Sequence, residues 1–216
     1  MTARIVLVDY GAGNIRSVHK ALSLAADRIF GADHAVMVSH EPAEIARADW
    51  LVVPGQGAFG ACRAGLLARA DAWSAISAHV DAGRPYLGIC VGMQLMATRG
   101  LEFGEHPGFG WIDGEVRRIT PVDPDLKVPH MGWNALIVDA PQHPVFAHTG
   151  PGTFVYFAHS FAMALNNPAQ RLAHARYGGA VTAAVGRDNK LGFQFHPEKS
   201  QRAGLDLLCG FLGWRP

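Results

Sequence analysis

Gly88-Ile89-Cys90-Val91-Gly92 has the spacing of a nucleophile elbow, glycine two positions either side of the nucleophile, with cysteine in place of serine. Such a turn holds the nucleophile in a strained backbone conformation, and the glycines let neighbouring backbone approach closely. The thiol would sit at the start of a helix, where unpaired N–H groups and the dipole favour a thiolate. A free cysteine is also a common small core residue, so the pentad alone leaves both readings open. A base shifts the balance. In Gly192-Phe193-Gln194-Phe195-His196-Pro197-Glu198-Lys199-Ser200 a strand stops at His196, and a short extended segment would project His196 and Glu198 from one side. Cys90, His196 and Glu198 could then form a triad in which imidazole takes the thiol proton and later protonates a leaving amine. The carboxylate would orient the ring and stabilise its charged form. Each of the other histidines, taken alone, reads as a surface or satisfied core residue. Pro54-Gly55-Gln56-Gly57 follows a strand, and its glycines would let a backbone N–H swing toward an oxyanion, with the Val91 amide as second donor. Taken by itself, that loop reads better as an ordinary turn between strand and helix.

The elements that must position these groups alternate. Arg4 to Tyr10 is a short apolar run rich in β-branched residues, broken by Gly11-Ala12-Gly13-Asn14 before a helical pattern starts near Ile15. Leu51-Val52-Val53 runs into the glycine loop, followed by helical stretches at Ala58 to Ala70 and Trp73 to Val80. Pro85 to Ile89 is a strand, and Cys90 to Thr98 reads as helix. The second half changes character, with strand-like runs at Trp111 to Ile119, Trp133 to Val138, Thr153 to Phe161, Arg171 to Arg176, Val181 to Gly186 and Gly192 to Phe195. Arg187-Asp188-Asn189-Lys190 suits a hairpin between the last two, and Gly204 to Leu212 a closing helix. The expectation is an α/β fold, an open mostly parallel sheet flanked by helices with added antiparallel strands in the C-terminal half. Residues 1–216 carry no linker, repeat or charge block, so one domain is expected.

Composition excludes several classes. Lys and Arg number 19 against 18 Asp and Glu, a formal charge of +1, which lacks the basic surplus of a nucleic-acid binder. No apolar run approaches the roughly 18 residues of a membrane helix, and the start at Met1 lacks a signal-peptide pattern, so no membrane association and a cytoplasmic location are expected. Cys62, Cys90 and Cys209 are widely separated and cannot all pair, which argues against a disulfide framework.

Together the cysteine elbow, the His-Pro-Glu segment and the Pro-Gly-x-Gly loop resemble the class I glutamine amidotransferase family. Within it, Asp9 to Asn14 with Ser17-Val18, Pro54 to Gly60, Gly88 to Leu95, Val128 to Asn134, Tyr156 to Phe161 and Gln194 to Ser200 resemble, in order, the glutaminase subunits of imidazole glycerol phosphate synthase. The resemblance implies hydrolysis of the glutamine side-chain amide through a glutamyl thioester on Cys90, with His196 protonating ammonia and Glu198 holding His196. It implies that Gly55, Gly57 and Val91 serve the oxyanion, that Gln94 binds substrate, and that His159, Ser160 and Phe161 contact the amino-acid end of glutamine. It implies no metal and no cofactor. It also implies a heterodimer with a (β/α)8 cyclase subunit that receives the ammonia through a tunnel. Asn14, Trp133 and Lys199 would face that partner, with Tyr156 near the tunnel mouth. A tryptophan in a strand is ordinarily core, and only the resemblance makes interface preferable for Trp133. Gln56 departs from the pattern, standing where these subunits most often have valine, and a polar amide there could alter how readily the loop backbone reorients.

Three rival readings remain at this point. Another amidotransferase of the class, of the anthranilate synthase or pyridoxal phosphate synthase type, would share the triad; the Asp9-Tyr10-Gly11 start, Pro129 to Asn134 and Lys199-Ser200 argue against it. A non-catalytic subunit would have no use for an intact Cys90, His196 and Glu198. A cysteine protease would need no partner and would cleave peptides instead of glutamine.

Overall fold

The computed structural model describes residues 2–150 and 152–216, so Met1 of the N-terminal segment lies outside them. The chain opens with Ala3–Val8 (β1), Ile15–Phe30 (α1), His34–Ser39 (β2), Pro42–Arg47 (α2), Trp50–Gly55 (β3), Phe59–Leu67 (α3), Ala72–Asp81 (α4), Tyr86–Cys90 (β4) and Val91–Gln94 (α5). It continues through Ala97–Gly100 (β5), His106–Pro107 (β6), Ile112–Arg118 (β7), His130–Ala135 (β8), Ile137–Val138 (β9), Phe154–His159 (β10), Phe161–Leu165 (β11), Arg171–Arg176 (β12), Ala180–Arg187 (β13), Lys190–Phe193 (β14) and Gln201–Gly213 (α6).

The main sheet has the order β2-β1-β3-β4-β14-β13-β12-β9. Its first five strands run parallel, and β13, β12 and β9 extend it in antiparallel pairing. The expected open α/β sheet with an antiparallel C-terminal extension is what forms. Every residue of β3 and β4 is buried, which is why both read as unbroken apolar runs and not as alternating ones. Helix α1 packs on α6 and α2 on α4. The Asn14 side chain starts α1 by accepting from the Ser17 N–H at 3.4 Å. The Arg187–Lys190 hairpin forms as expected, with Asp188 at φ 52°. Among the described residues no helix is long and apolar enough to cross a membrane.

Several local expectations are corrected. Helix does not run from Cys90 to Thr98; it stops at Gln94, and Ala97–Gly100 is a strand. The carbonyls that would have continued it are taken by a distant segment: Leu95 O accepts from Phe109 N, Met96 O from Trp111 N and Ala97 O from Gly110 N. Two apparent single strands are each divided between sheets. Trp133 to Val138 splits into the end of β8 and β9, and Thr153 to Phe161 into β10, paired with β8, and the first residue of β11, paired with β7. The second switch falls at Ser160, inside the expected glutamine-contacting segment. The edge strand β2 and the short α2 were not anticipated from the pattern. β2 carries the short apolar run Ala35 to Val38 but is only partly buried at the edge of the sheet.

Candidate active site

Strand β4 delivers Cys90 to the carboxyl edge of the sheet with φ 54° and ψ −111°, a conformation costing about 1–3 kcal/mol for a non-glycine residue. Glycine makes the elbow possible by close approach. A Cβ on Gly88 would overlap the Gly92 carbonyl, one on Gly92 would overlap the Val53 carbonyl, and one on Gly55 would come within 2.6 Å of Gly92 N. Gly55 is buried against the elbow, and Gln56 and Gly57 of its loop line the cavity. The helix after Cys90 is a single turn, so any support for a thiolate comes from local N–H groups and not from a long macrodipole.

His196 arrives from β14. Its N–H donates to Tyr156 O at 2.9 Å, and its carbonyl accepts from Ser200 Oγ at 2.6 Å. Pro197–Lys199 is a 3-10 turn and not the extended segment expected, yet it brings His196 Nδ1 to 2.8 Å from Glu198 Oε1. The two side chains are 9% and 1% exposed. Gly204 secures this turn from below, since a Cβ there would overlap Pro197 O and push α6 away. Burial pulls the His196 ring down, but hydrogen bonds and charge from the Cys90 sulfur and Glu198 outweigh it and hold the imidazole at about 9. The ring thus carries a proton at neutral pH, beside the sulfur and ready for a departing amine.

A cavity of about 280 Å³ opens at this point, lined by Gln56, Gly57, Cys90, Val91, Gln94, Glu102, Pro129, Met131, Ala158, His159, Ser160, Phe161, His196 and Lys199. That size is near the lower end of small-molecule pockets, about 300–1,000 Å³, and suits one amino acid. Gly57, at φ 96°, is in the left-handed region that favours glycine. The loop around it is held on both sides, with Tyr10 OH donating to Pro54 O at 2.5 Å and Cys62 Sγ to Gln56 O at 3.3 Å. Gln94 Nε2 donates to Phe161 O at 3.0 Å and to Gln194 Oε1 at 3.1 Å.

A family model described as glutamine amidotransferase class-I matches residues 6–209. The chain belongs to this family. Two curated relatives carry the name imidazole glycerol phosphate synthase subunit HisH. That of Cereibacter sphaeroides is 55% identical over 212 residues, covering 98% of this chain and 99% of the relative. That of Rhodospirillum rubrum is 50% identical over 214 residues, covering 99% and 100%. A crystal structure titled glutamine amidotransferase superposes with a TM-score of 0.65 at 18% identity, covering 94% of this chain and 98% of that one, a likeness of fold.

In this amidotransferase the cavity gathers Cys90, His196, Gly57, Val91, Gln94, His159, Ser160, Phe161 and Lys199, with Glu198 directly behind His196. Trp133, Tyr156 and Lys199 form a neighbouring cluster, with Trp133 and Tyr156 edge to face at 6.1 Å and Lys199 Nζ 5.6 Å from the Tyr156 ring. Trp133 is 47% exposed and Met131, two residues earlier on β8, 64% exposed, so the core reading of that tryptophan does not hold. Asn14 is exposed and caps α1. Sequence reasoning passed over Gln194, Glu102 and His130. Gln194 is fully buried, and its Nε2 points at Cys90 Sγ at 3.8 Å. Its one signal was an amide between two phenylalanines in an apolar strand. Glu102 lines the cavity and accepts from Phe59 N at 2.9 Å.

Proposed function

We propose that this amidotransferase is the glutamine-hydrolysing subunit of imidazole glycerol phosphate synthase, working as one domain in the cytoplasm and in histidine biosynthesis. Cys90 Sγ attacks the amide carbon of glutamine, and the carbonyl oxygen becomes an oxyanion served by backbone N–H groups of Val91 and of the Gly55–Gly57 loop. His196 gives its proton to the amine as the C–N bond breaks, ammonia leaves, and a glutamyl thioester remains. Water, deprotonated by the now neutral ring, attacks the thioester to give glutamate and restore the thiolate–imidazolium pair. Glu198 keeps the ring oriented throughout. His159, Ser160 and Phe161 hold the amino-acid end of glutamine beside Gln94. Ammonia passes past Tyr156 to a (β/α)8 cyclase bound over Asn14, Trp133 and Lys199.

The observation that carries this reading is the buried His196–Glu198 pair at 2.8 Å beside a cysteine at φ 54° in a cavity of amino-acid size. The two relatives named imidazole glycerol phosphate synthase subunit HisH, alike over 98% and 99% of this chain, support this choice of acceptor. The test is synthesis by the chain together with its cyclase, supplied with glutamine or with ammonium salt. Cys90→Ala is expected to abolish the glutamine-dependent reaction and preserve the ammonium-dependent one. Retained glutamine-dependent synthesis would remove Cys90 as nucleophile.

A further inference from the structure

Behind the cavity wall runs a chain of hydrogen bonds whose direction is fixed from both ends. Phe161 O can only accept, so His159 Nδ1, 2.9 Å away, is the protonated nitrogen, and His159 Nε2 is left as an acceptor. His130 Nδ1, 3.0 Å from His159 Nε2, must then be a donor, which leaves His130 Nε2 to accept from Asn134 Nδ2 at 3.1 Å. The amide of Asn134 is fixed independently, since its Nδ2 donates to Arg176 O at 3.0 Å and its Oδ1 accepts from Ala135 N at 2.8 Å. Both rings are buried. His130 lies between two stacked aromatic rings, Phe157 at 4.5 Å and Tyr177 at 4.1 Å. At the other end, Phe161 O also accepts from Gln94, whose amide continues to Gln194 and the Cys90 sulfur.

We propose that His130 is a positioning residue: acting through His159, it fixes the Phe161 carbonyl and so sets the height of the 159–161 segment against Gln94 at the glutamine-binding wall. The need for such a device follows from the topology. The chain leaves one sheet and joins another at Ser160: His159 still pairs with His130, Phe161 already pairs with Arg118, and Ile119 N donates to Ser160 O at 2.9 Å, while the Phe161 carbonyl is held by the side chains of Gln94 and His159. The anchor comes from β8, whose alternation turns His130 and Asn134 inward while Met131 and Trp133 are exposed. Burial lowers both imidazoles to about 4, which agrees with two neutral rings joined head to tail.

The proposal rests on the glutaminase reading only for its kinetic arm. In the full-length chain labelled with 15N at histidine, long-range 1H–15N spectra at pH 7.5 are expected to show His130 and His159 neutral with the proton on Nδ1. His130→Asn and His159→Asn each remove one of the eleven imidazole patterns and so assign the two rings. A proton on Nε2 of either ring, or a charged ring, overturns the proposal whatever the enzyme does. Kinetically, His130→Leu is expected to raise KM for glutamine about tenfold, the worth of one neutral hydrogen bond, with kcat little changed. His130→Asn, which keeps a donor near the Nδ1 position, is expected to restore most of that loss. Equal losses in both variants, or a loss confined to kcat, overturns it as well. Should the leucine variant fail to fold, the tautomers decide alone. A chain with the expected tautomers and no glutaminase activity would remove the functional reading and leave the hydrogen-bond chain standing.

Discussion

His196 and Glu198 illustrate how much one carboxylate can do from a buried position. Glu198 Oε1 accepts from His196 at 2.8 Å while Oε2 is buried without a partner among the described residues, so the carboxylate's interaction is directed almost wholly at the ring. Despite burial, the imidazole stands at about 9, and a reaction that needs its proton should decline as pH rises through that value. Glu198→Gln keeps the shape and removes the charge. It is expected to lower kcat by about 10²–10⁴ and to move the alkaline limb of the pH–rate profile toward neutral, measured as glutamate release between pH 6 and 10. An unmoved alkaline limb would show that another group holds the ring charged. The triad residues were legible in the sequence because each sits in a short punctuated motif, with glycines around Cys90 and proline after His196. Gln194 and His130 were not, since Gln194 directly follows β14 and His130 opens β8, and neither position carries a spacing that distinguishes a partnered core group from a functional one.

At the scale of elements, the elbow depends on three backbones meeting where side chains would not fit. Gly92 is the tightest point, because α5 starts against the carbonyl of Val53 in β3. Gly92→Ala is expected to destabilise the chain by about 2–3 kcal/mol or more through overpacking, read as a lower urea midpoint, and to displace Cys90 enough to abolish glutaminase activity. Gly213→Ala, with nothing within 4 Å of the added methyl, is the matched control. Equal midpoints for the two would show that the elbow tolerates a shift. Elements whose own residues set their limits were legible: β12 falls at Arg171–Arg176 as expected, and the β13–β14 hairpin turns on Asp188. The end of α5 at Gln94 and the sheet change at Ser160 were not. Hydrophobic period tells whether a segment is helix or strand, but not which distant carbonyls or which sheet will claim it, and Phe109 to Trp111 made that decision for residues 95–97.

At the scale of the whole molecule, the buried imidazoles oppose one another across the pH scale. His79, His130 and His159 are each lowered to about 4, burial being the chief cause, and burial lowers His143 in the same direction. In the unfolded chain all of them bind a proton near pH 6.5. Stability from these neutral rings is therefore complete above about 6.5 and is lost as pH falls toward 4, because the unfolded chain takes up protons that the fold refuses. His196 has the opposite sign. Its folded value of about 9 means that its contribution is complete below about 6.5 and is lost as pH rises through 9. Several rings oppose folding on the acid side and one on the alkaline side. The thermal midpoint of the full chain is expected to peak near pH 6.5 and to fall more steeply toward pH 4.5 than toward pH 8.5. Glu198→Gln should flatten the alkaline slope and leave the acid slope as it was. A symmetric curve, or an alkaline slope that survives this substitution, would mean that the charged state of His196 is not coupled to folding through Glu198.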